Sequence, residues 1–142
     1  MKSPLGKNAV ETENQPVRHS RWSEQLLAVA RNVQLLCLDV DGVLTDGAMY
    51  YGADGEVLKR FDTRDASGLA NIRGIGIEVA WITAEKSLIT QARAHKLGIE
   101  LLIEGRHDKL EAARELAGEL DRSLLDMAYM GDDWFDVPLL KW

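Results

Sequence analysis

The chain has 142 residues, 46% of them apolar and 28% charged, with a net charge of −6, which suits one soluble domain that buries roughly two-thirds of its surface on folding. Residues 1–33 hold five Lys or Arg against three Asp or Glu, and the rest hold twelve against twenty, so the acidic body offers no phosphate-neutralising patch to nucleic acid or to an anionic membrane. The single cysteine, Cys37, excludes an internal disulfide framework and suits a reducing compartment; with no signal-peptide core and no stretch approaching a membrane span, the cytoplasm is the expected location.

In chain order, residues 1–20 are polar and aperiodic and read as a flexible N-terminal arm, with the folded domain over 21–142. Trp22, Leu26, Leu27, Val29 and Ala30 can line one side of a short helix leading into the first strand. Apolar strands are expected at 34–39, 78–83, 100–103 and 127–130, separated by helices at 66–74, 87–96 and 108–120. That alternation is a βαβ series, hence a parallel sheet with helices on both faces. Cys37 lies inside the first strand and reads as a small core side chain rather than a reactive thiol. One segment breaks the rhythm: Met49–Tyr51 and Glu56–Phe61 flank Gly52-Ala53-Asp54-Gly55 and read as a hairpin inserted after strand one. A two-stranded hairpin without a sheet partner is marginal, so a neighbouring subunit is its expected support.

The chemistry is carried by polar residues at strand ends. Leu35-Leu36-Cys37-Leu38-Asp39-Val40-Asp41-Gly42 ends an apolar strand in two carboxylates one residue apart. Such anions repel by roughly 4 kcal/mol at about 4 Å and an effective dielectric near 20, so the pair calls for a cation, a shared proton or a catalytic task. Thr83 ends the next strand, Lys109 opens the helix after the third, and Gly131-Asp132-Asp133 with Asp136 follows the fourth. In a parallel α/β sheet these positions share the rim where ligands bind. Singly, Thr83 could be a helix cap and Asp132-Asp133 a dipole-matched helix start; jointly they suit phosphoryl transfer through an aspartyl-phosphate. Asp39 is then the nucleophile, Asp41 the acid and base, and Thr83 and Lys109 hold the transferring oxygens. Asp39, Asp41 and Asp132 are the expected Mg²⁺ ligands, with Asp133 and Asp136 orienting them from behind.

Asp39-Val40-Asp41-Gly42-Val43-Leu44-Thr45-Asp46-Gly47, Thr83, Lys109 and Gly131-Asp132-Asp133-Trp134-Phe135-Asp136 resemble the four motifs of the haloacid dehalogenase (HAD) phosphatases. Over residues 34–142 the chain is similar to the small capless branch that acts on 3-deoxy-D-manno-octulosonate 8-phosphate (KDO 8-P). Further matching segments are Asp46–Tyr51, Phe61–Asp65, Leu97–Glu100 and Gly105–Leu110. The resemblance implies a Rossmann-like HAD fold with an inserted hairpin and no cap domain. It also implies a Mg²⁺-dependent phosphatase of lipopolysaccharide sugar synthesis, and a homotetramer whose hairpins join and whose subunits cap one another. On the same ground Arg64 and Asp65 are expected on a loop near the sugar.

Two departures stand out. Ala84-Glu85-Lys86 replaces the Gly-Arg usual after the threonine, and Asp65-Ala66-Ser67-Gly68 replaces Asp-Gly-x-Gly. Both lean toward relatives acting on nine-carbon sugar acid 9-phosphates, of the 2-keto-3-deoxynononate or N-acylneuraminate type, and make Glu85 a substrate-reading residue. The octulosonate stays the first expectation. The sequence also stops at Trp142, inside the helix expected after the Gly-Asp-Asp loop, without the family's following strand, helix and tail. A weakly active, assembly-competent remnant is the alternative expectation.

Overall fold

The structure, a computed structural model, describes residues 22–142; the expected N-terminal arm at 1–20 lies outside the described residues. Helix α1 (Glu24–Asn32) is capped by Ser23, whose hydroxyl accepts from the Leu26 N–H at 3.1 Å. It leads into β1 (Leu35–Leu38). A separate two-stranded sheet follows, β2 (Tyr50–Gly52) paired antiparallel with β3 (Gly55–Leu58). Then come α2 (Thr63–Gly74), β4 (Glu78–Ile82), α3 (Leu88–Leu97), β5 (Leu101–Ile103), α4 (Lys109–Glu119), β6 (Met127–Met130) and the short α5 (Val137–Leu140).

The main sheet has the order β5-β4-β1-β6 and every pairing is parallel. It is the sheet the βαβ alternation predicts. The period of two along its strands divides the core. Leu35, Cys37, Ala80 and Ile82 pack with Ala112, Ala113 and Leu116 of α4 and Leu139 of α5. On the other face Leu38, Val40, Val79 and Trp81 pack with Leu69 of α2 and Ala94 of α3. Both faces are covered, which is why β1 and β4 read as unbroken apolar runs rather than alternating ones.

The order also locates the site. From β1 the chain moves to one side through β4 and β5, then crosses back to place β6 on β1's other side. The carboxyl ends flanking β1 are therefore the topological switch point, where open α/β sheets bind ligands. Among the described residues no helix is long and apolar enough to cross a membrane.

Two elements differ from the sequence reading. Helix α2 begins at Thr63 rather than 66, because the Asp62 carboxylate accepts from the Arg64 N–H at 2.8 Å and caps it. Arg64 and Asp65 thus sit in a helical first turn, not in a loop. The hairpin strands are shorter than expected at their outer ends, with a register shift between Tyr50 and Tyr51. Met49, Tyr51, Val57 and Leu58 are all more than half exposed on it.

Candidate active site

Asp39 is the first residue past β1, and its N–H donates to Met130 O at 2.9 Å, which extends the β1–β6 ladder by one step. The side chain is thereby set at the sheet's end, 4% exposed. Lys109, opening α4 behind its Asp108 cap, reaches the same point: its ammonium lies 2.8 Å from Asp39 Oδ1 and 2.6 Å from Asp136 Oδ1, with all three side chains buried. A buried ammonium shared by two carboxylates is costly to break from either side.

The carboxylates respond differently. Burial raises the Asp39 pKa above the ordinary carboxylate value, against the opposing pull of Lys109. Burial pushes Asp136 the same way, but its hydrogen bonds from Lys109, Tyr129 and the backbone outweigh it and hold that carboxyl low. Asp136 Oδ2 accepts from the N–H groups of Asp132 and Asp133 at 2.9 and 2.8 Å, and the Tyr129 hydroxyl donates to Oδ1. Asp136 therefore shapes the 131–133 loop. Gly131 gives it room: a Cβ there would fall 2.3 Å from the Asp136 carboxyl carbon.

Carboxylate oxygens of Asp39, Asp132 and Asp136 lie within 4.8 Å of one another. An all-oxygen anionic set suits a hard cation such as Mg²⁺. Gly42 permits the approach of Asp132, since a Cβ at Gly42 would stand 1.9 Å from Asp132 Oδ2, and its φ of +90° also favours glycine. Asp136 has its oxygens committed to Lys109, Tyr129 and the loop, which leaves Asp39 and Asp132 as the open ligands. The sequence reading set Asp41 in this group as well, and its carboxylate has a partner of its own. Asp41 Oδ1 accepts from the Lys59 ammonium at 2.5 Å, so a cation already occupies that oxygen.

A cavity of about 200 Å³ joins these parts, lined by Asp39, Asp41, Thr83, Glu85, Lys109 and Asp133 together with Met49, Ala84, His107 and Phe135. Thr83 is 2% exposed at the end of β4. Its hydroxyl accepts from the Glu85 N–H at 3.2 Å, while Ser87 caps α3 instead, so Thr83 is not that helix's cap. Asp133 caps the turn at Trp134–Asp136. Six of the expected site residues thus meet in one cavity, and the carboxylates of Asp132 and Asp136 join it through Asp39.

Arg64 and Asp65 do not meet them. They line a second cavity with Asp46, Arg60 and Asp62, and Arg64 is paired with Asp62 at 2.6 Å. Three residues were missed by sequence. Lys59 looked like one more charge at a hairpin's end. Tyr129 looked like strand core. His107 had no assigned role, yet it lines the cavity with its ring 4.7 Å from that of Phe135. Only the arrival of each beside a carboxylate or a cavity distinguishes it, and no local pattern encodes that.

No family model matches the chain. A 3-deoxy-D-manno-octulosonate 8-phosphate phosphatase of Escherichia coli K12 is 42% identical over 119 residues, covering 84% of this chain and 63% of that protein. The chain thus spans about 63% of the length of the curated relatives it matches. The phosphatase of the same name from Moraxella catarrhalis, solved with magnesium, phosphate and KDO, superposes with a TM-score of 0.77 at 37% identity, over 80% of this chain and 66% of that one. A hypothetical protein of Xanthomonas campestris superposes with a TM-score of 0.81 at 38% identity, over 87% of this chain and 67% of that one. With this likeness in both sequence and fold, the chain has the HAD phosphatase fold and is similar to the 3-deoxy-D-manno-octulosonate 8-phosphate phosphatases over about 63–66% of their length.

Proposed function

We propose that the protein is a Mg²⁺-dependent phosphomonoesterase whose substrate is 3-deoxy-D-manno-octulosonate 8-phosphate. The observation that carries the reading is one cavity, at the switch point of a parallel sheet, where Asp39, Asp41, Thr83 and Lys109 converge. Asp39 and Asp132 would hold the Mg²⁺, which when bound masks phosphate charge so that a carboxylate can approach phosphorus.

Asp39 attacks phosphorus and forms an aspartyl-phosphate as the ester oxygen departs. Asp41 protonates that oxygen, then takes a proton from the water that hydrolyses the intermediate. Lys109 and Thr83 stabilise the charge on the transferring oxygens from fixed, buried positions. Asp133 and Asp136 hold the loop that presents Asp132, Asp136 through its two backbone hydrogen bonds.

Glu85 lines the same cavity and favours a second reading, a nine-carbon sugar acid 9-phosphate, because a carboxylate there would read hydroxyls rather than a sugar carboxylate. The exposed Met49, Tyr51, Val57 and Leu58 of the hairpin support a homotetramer joined through that face, in which Arg64 and Asp65 would serve the sugar end of a site. The reducing cytoplasm suits the free, buried Cys37.

Phosphate release is to be measured from octulosonate 8-phosphate, a nonulosonate 9-phosphate and p-nitrophenyl phosphate, with Mg²⁺ and with EDTA. The expected outcome is Mg²⁺-dependent release that is fastest from the octulosonate ester. Release fastest from the nine-carbon ester supports the second reading, and no release from any ester by folded protein refutes both.

A further inference from the structure

Lys59 follows β3 and carries the hairpin back to the active site. Its side chain is 2% exposed, a burial that lysine accepts only with partners. Its ammonium donates to Asp41 Oδ1 at 2.5 Å and lies 3.2 Å from Glu56 Oε1. Glu56 is fixed in turn from its far side, where the Ser87 hydroxyl donates to Oε2. Ser87 is the cap of α3, a few residues beyond Thr83. Lys59 is thus clamped between the hairpin and the loop that carries the phosphate-gripping threonine.

The two oxygens of Asp41 are unequal as a result. Oδ1 is held by a cation, whereas Oδ2 is buried and has no hydrogen-bond partner. A packing role alone would be served better by an apolar side chain, because burying an ammonium costs desolvation. Glu56 shares the charge, so Asp41 is not the sole counter-ion.

We propose that Lys59 is the positioning residue of the acid/base carboxylate, fixing Oδ1 of Asp41 so that Oδ2 is the oxygen that carries the proton. The inference rests on the phosphatase reading above. In the first half-reaction the Oδ2–H bond breaks as the ester P–O bond breaks, and the departing oxygen gains the proton. In the second, Oδ2 takes a proton from the water whose oxygen bonds phosphorus as the Asp39–phosphorus bond breaks. Losing Lys59 frees Asp41 to rotate, and the proton is then delivered from the wrong place.

A leaving-group comparison tests this. Phenyl and p-nitrophenyl phosphate have nearly the same shape, but phenolate is the more basic leaving group and needs the proton more. The reading is kcat/KM for both esters with the full chain, its Lys59→Met, Glu56→Gln and Asp41→Asn variants, and the Lys59→Met/Asp41→Asn double variant. Lys59→Met is expected to lose at least about tenfold more on phenyl than on p-nitrophenyl phosphate. Glu56→Gln should shift the ratio the same way by less. With Asp41→Asn already present, Lys59→Met should not change the ratio further, because its effect runs through Asp41.

Equal losses on the two esters in Lys59→Met, or a further change of ratio in the double variant, overturn the proposal. If circular dichroism shows Lys59→Met unfolded, Glu56→Gln decides, and an unshifted ratio there overturns it. A wild-type chain that hydrolyses neither ester refutes the phosphatase reading and this inference together, whereas an active wild type with unshifted ratios refutes only this one.

Discussion

Gly42 shows at the residue scale how little space the site leaves. A Cβ at this position would stand 1.9 Å from Asp132 Oδ2, on a backbone with φ of +90°. Gly42→Ala should therefore displace Asp132 and weaken Mg²⁺ activation by about 10- to 100-fold, measured as the Mg²⁺ concentration giving half-maximal phosphate release. Asp136 makes a different prediction. Its folded pKa lies below the ordinary 3.8, so the folded chain binds fewer protons there than the unfolded chain. The stability it contributes is complete above 3.8 and is lost as pH falls through the lower folded value. Asp136→Asn should accordingly be less stable at neutral pH by about 3–5 kcal/mol. Its deficit in urea unfolding should shrink on acidification. Cys37 behaves as an inert core atom: burial pushes its thiol up to about 12, so a thiol reagent at neutral pH should label it only after denaturation. Rapid labelling of folded protein would contradict that burial.

At the scale of elements, what was legible in sequence follows from which forces act locally. The four main strands and the helices α3 and α4 were readable because both sheet faces are covered and the apolar runs are continuous. The start of α2 was not, because its cap is Asp62, which pairs with Arg64 and looks like part of a charged loop. The site motifs were readable because Asp39, Thr83 and Asp132 fall at or just past strand ends, and Lys109 opens the helix that follows β5. Lys59 was not, because it meets Asp41 across 18 residues through a hairpin whose return path sequence does not encode. The hairpin itself carries the assembly prediction. Tyr51 and Val57 are each 62% exposed, and replacing both with Lys should reduce the proposed tetramer to smaller species by light scattering. A wild-type chain that is already monomeric would refute the tetramer, and a double variant that stays tetrameric would show that the hairpin is not the joint.

Across the whole molecule, the strand order β5-β4-β1-β6 brings distant parts of the chain to one rim. Asp39, Thr83, Lys109 and Asp132 come from the ends of four successive βα units, and no single segment could place them together. Their shared logic is charge: one buried ammonium, carboxylates at the sheet's end, and an oxygen-only set fit for a divalent cation. The role proposed for Asp39 is the nucleophile of a Mg²⁺-dependent phosphatase. It is tested most directly by phosphate release from 3-deoxy-D-manno-octulosonate 8-phosphate, comparing wild type with a folded Asp39→Asn variant in Mg²⁺. The variant should lose activity by about a thousandfold or more; release by Asp39→Asn at a rate close to wild type would rule out that nucleophile.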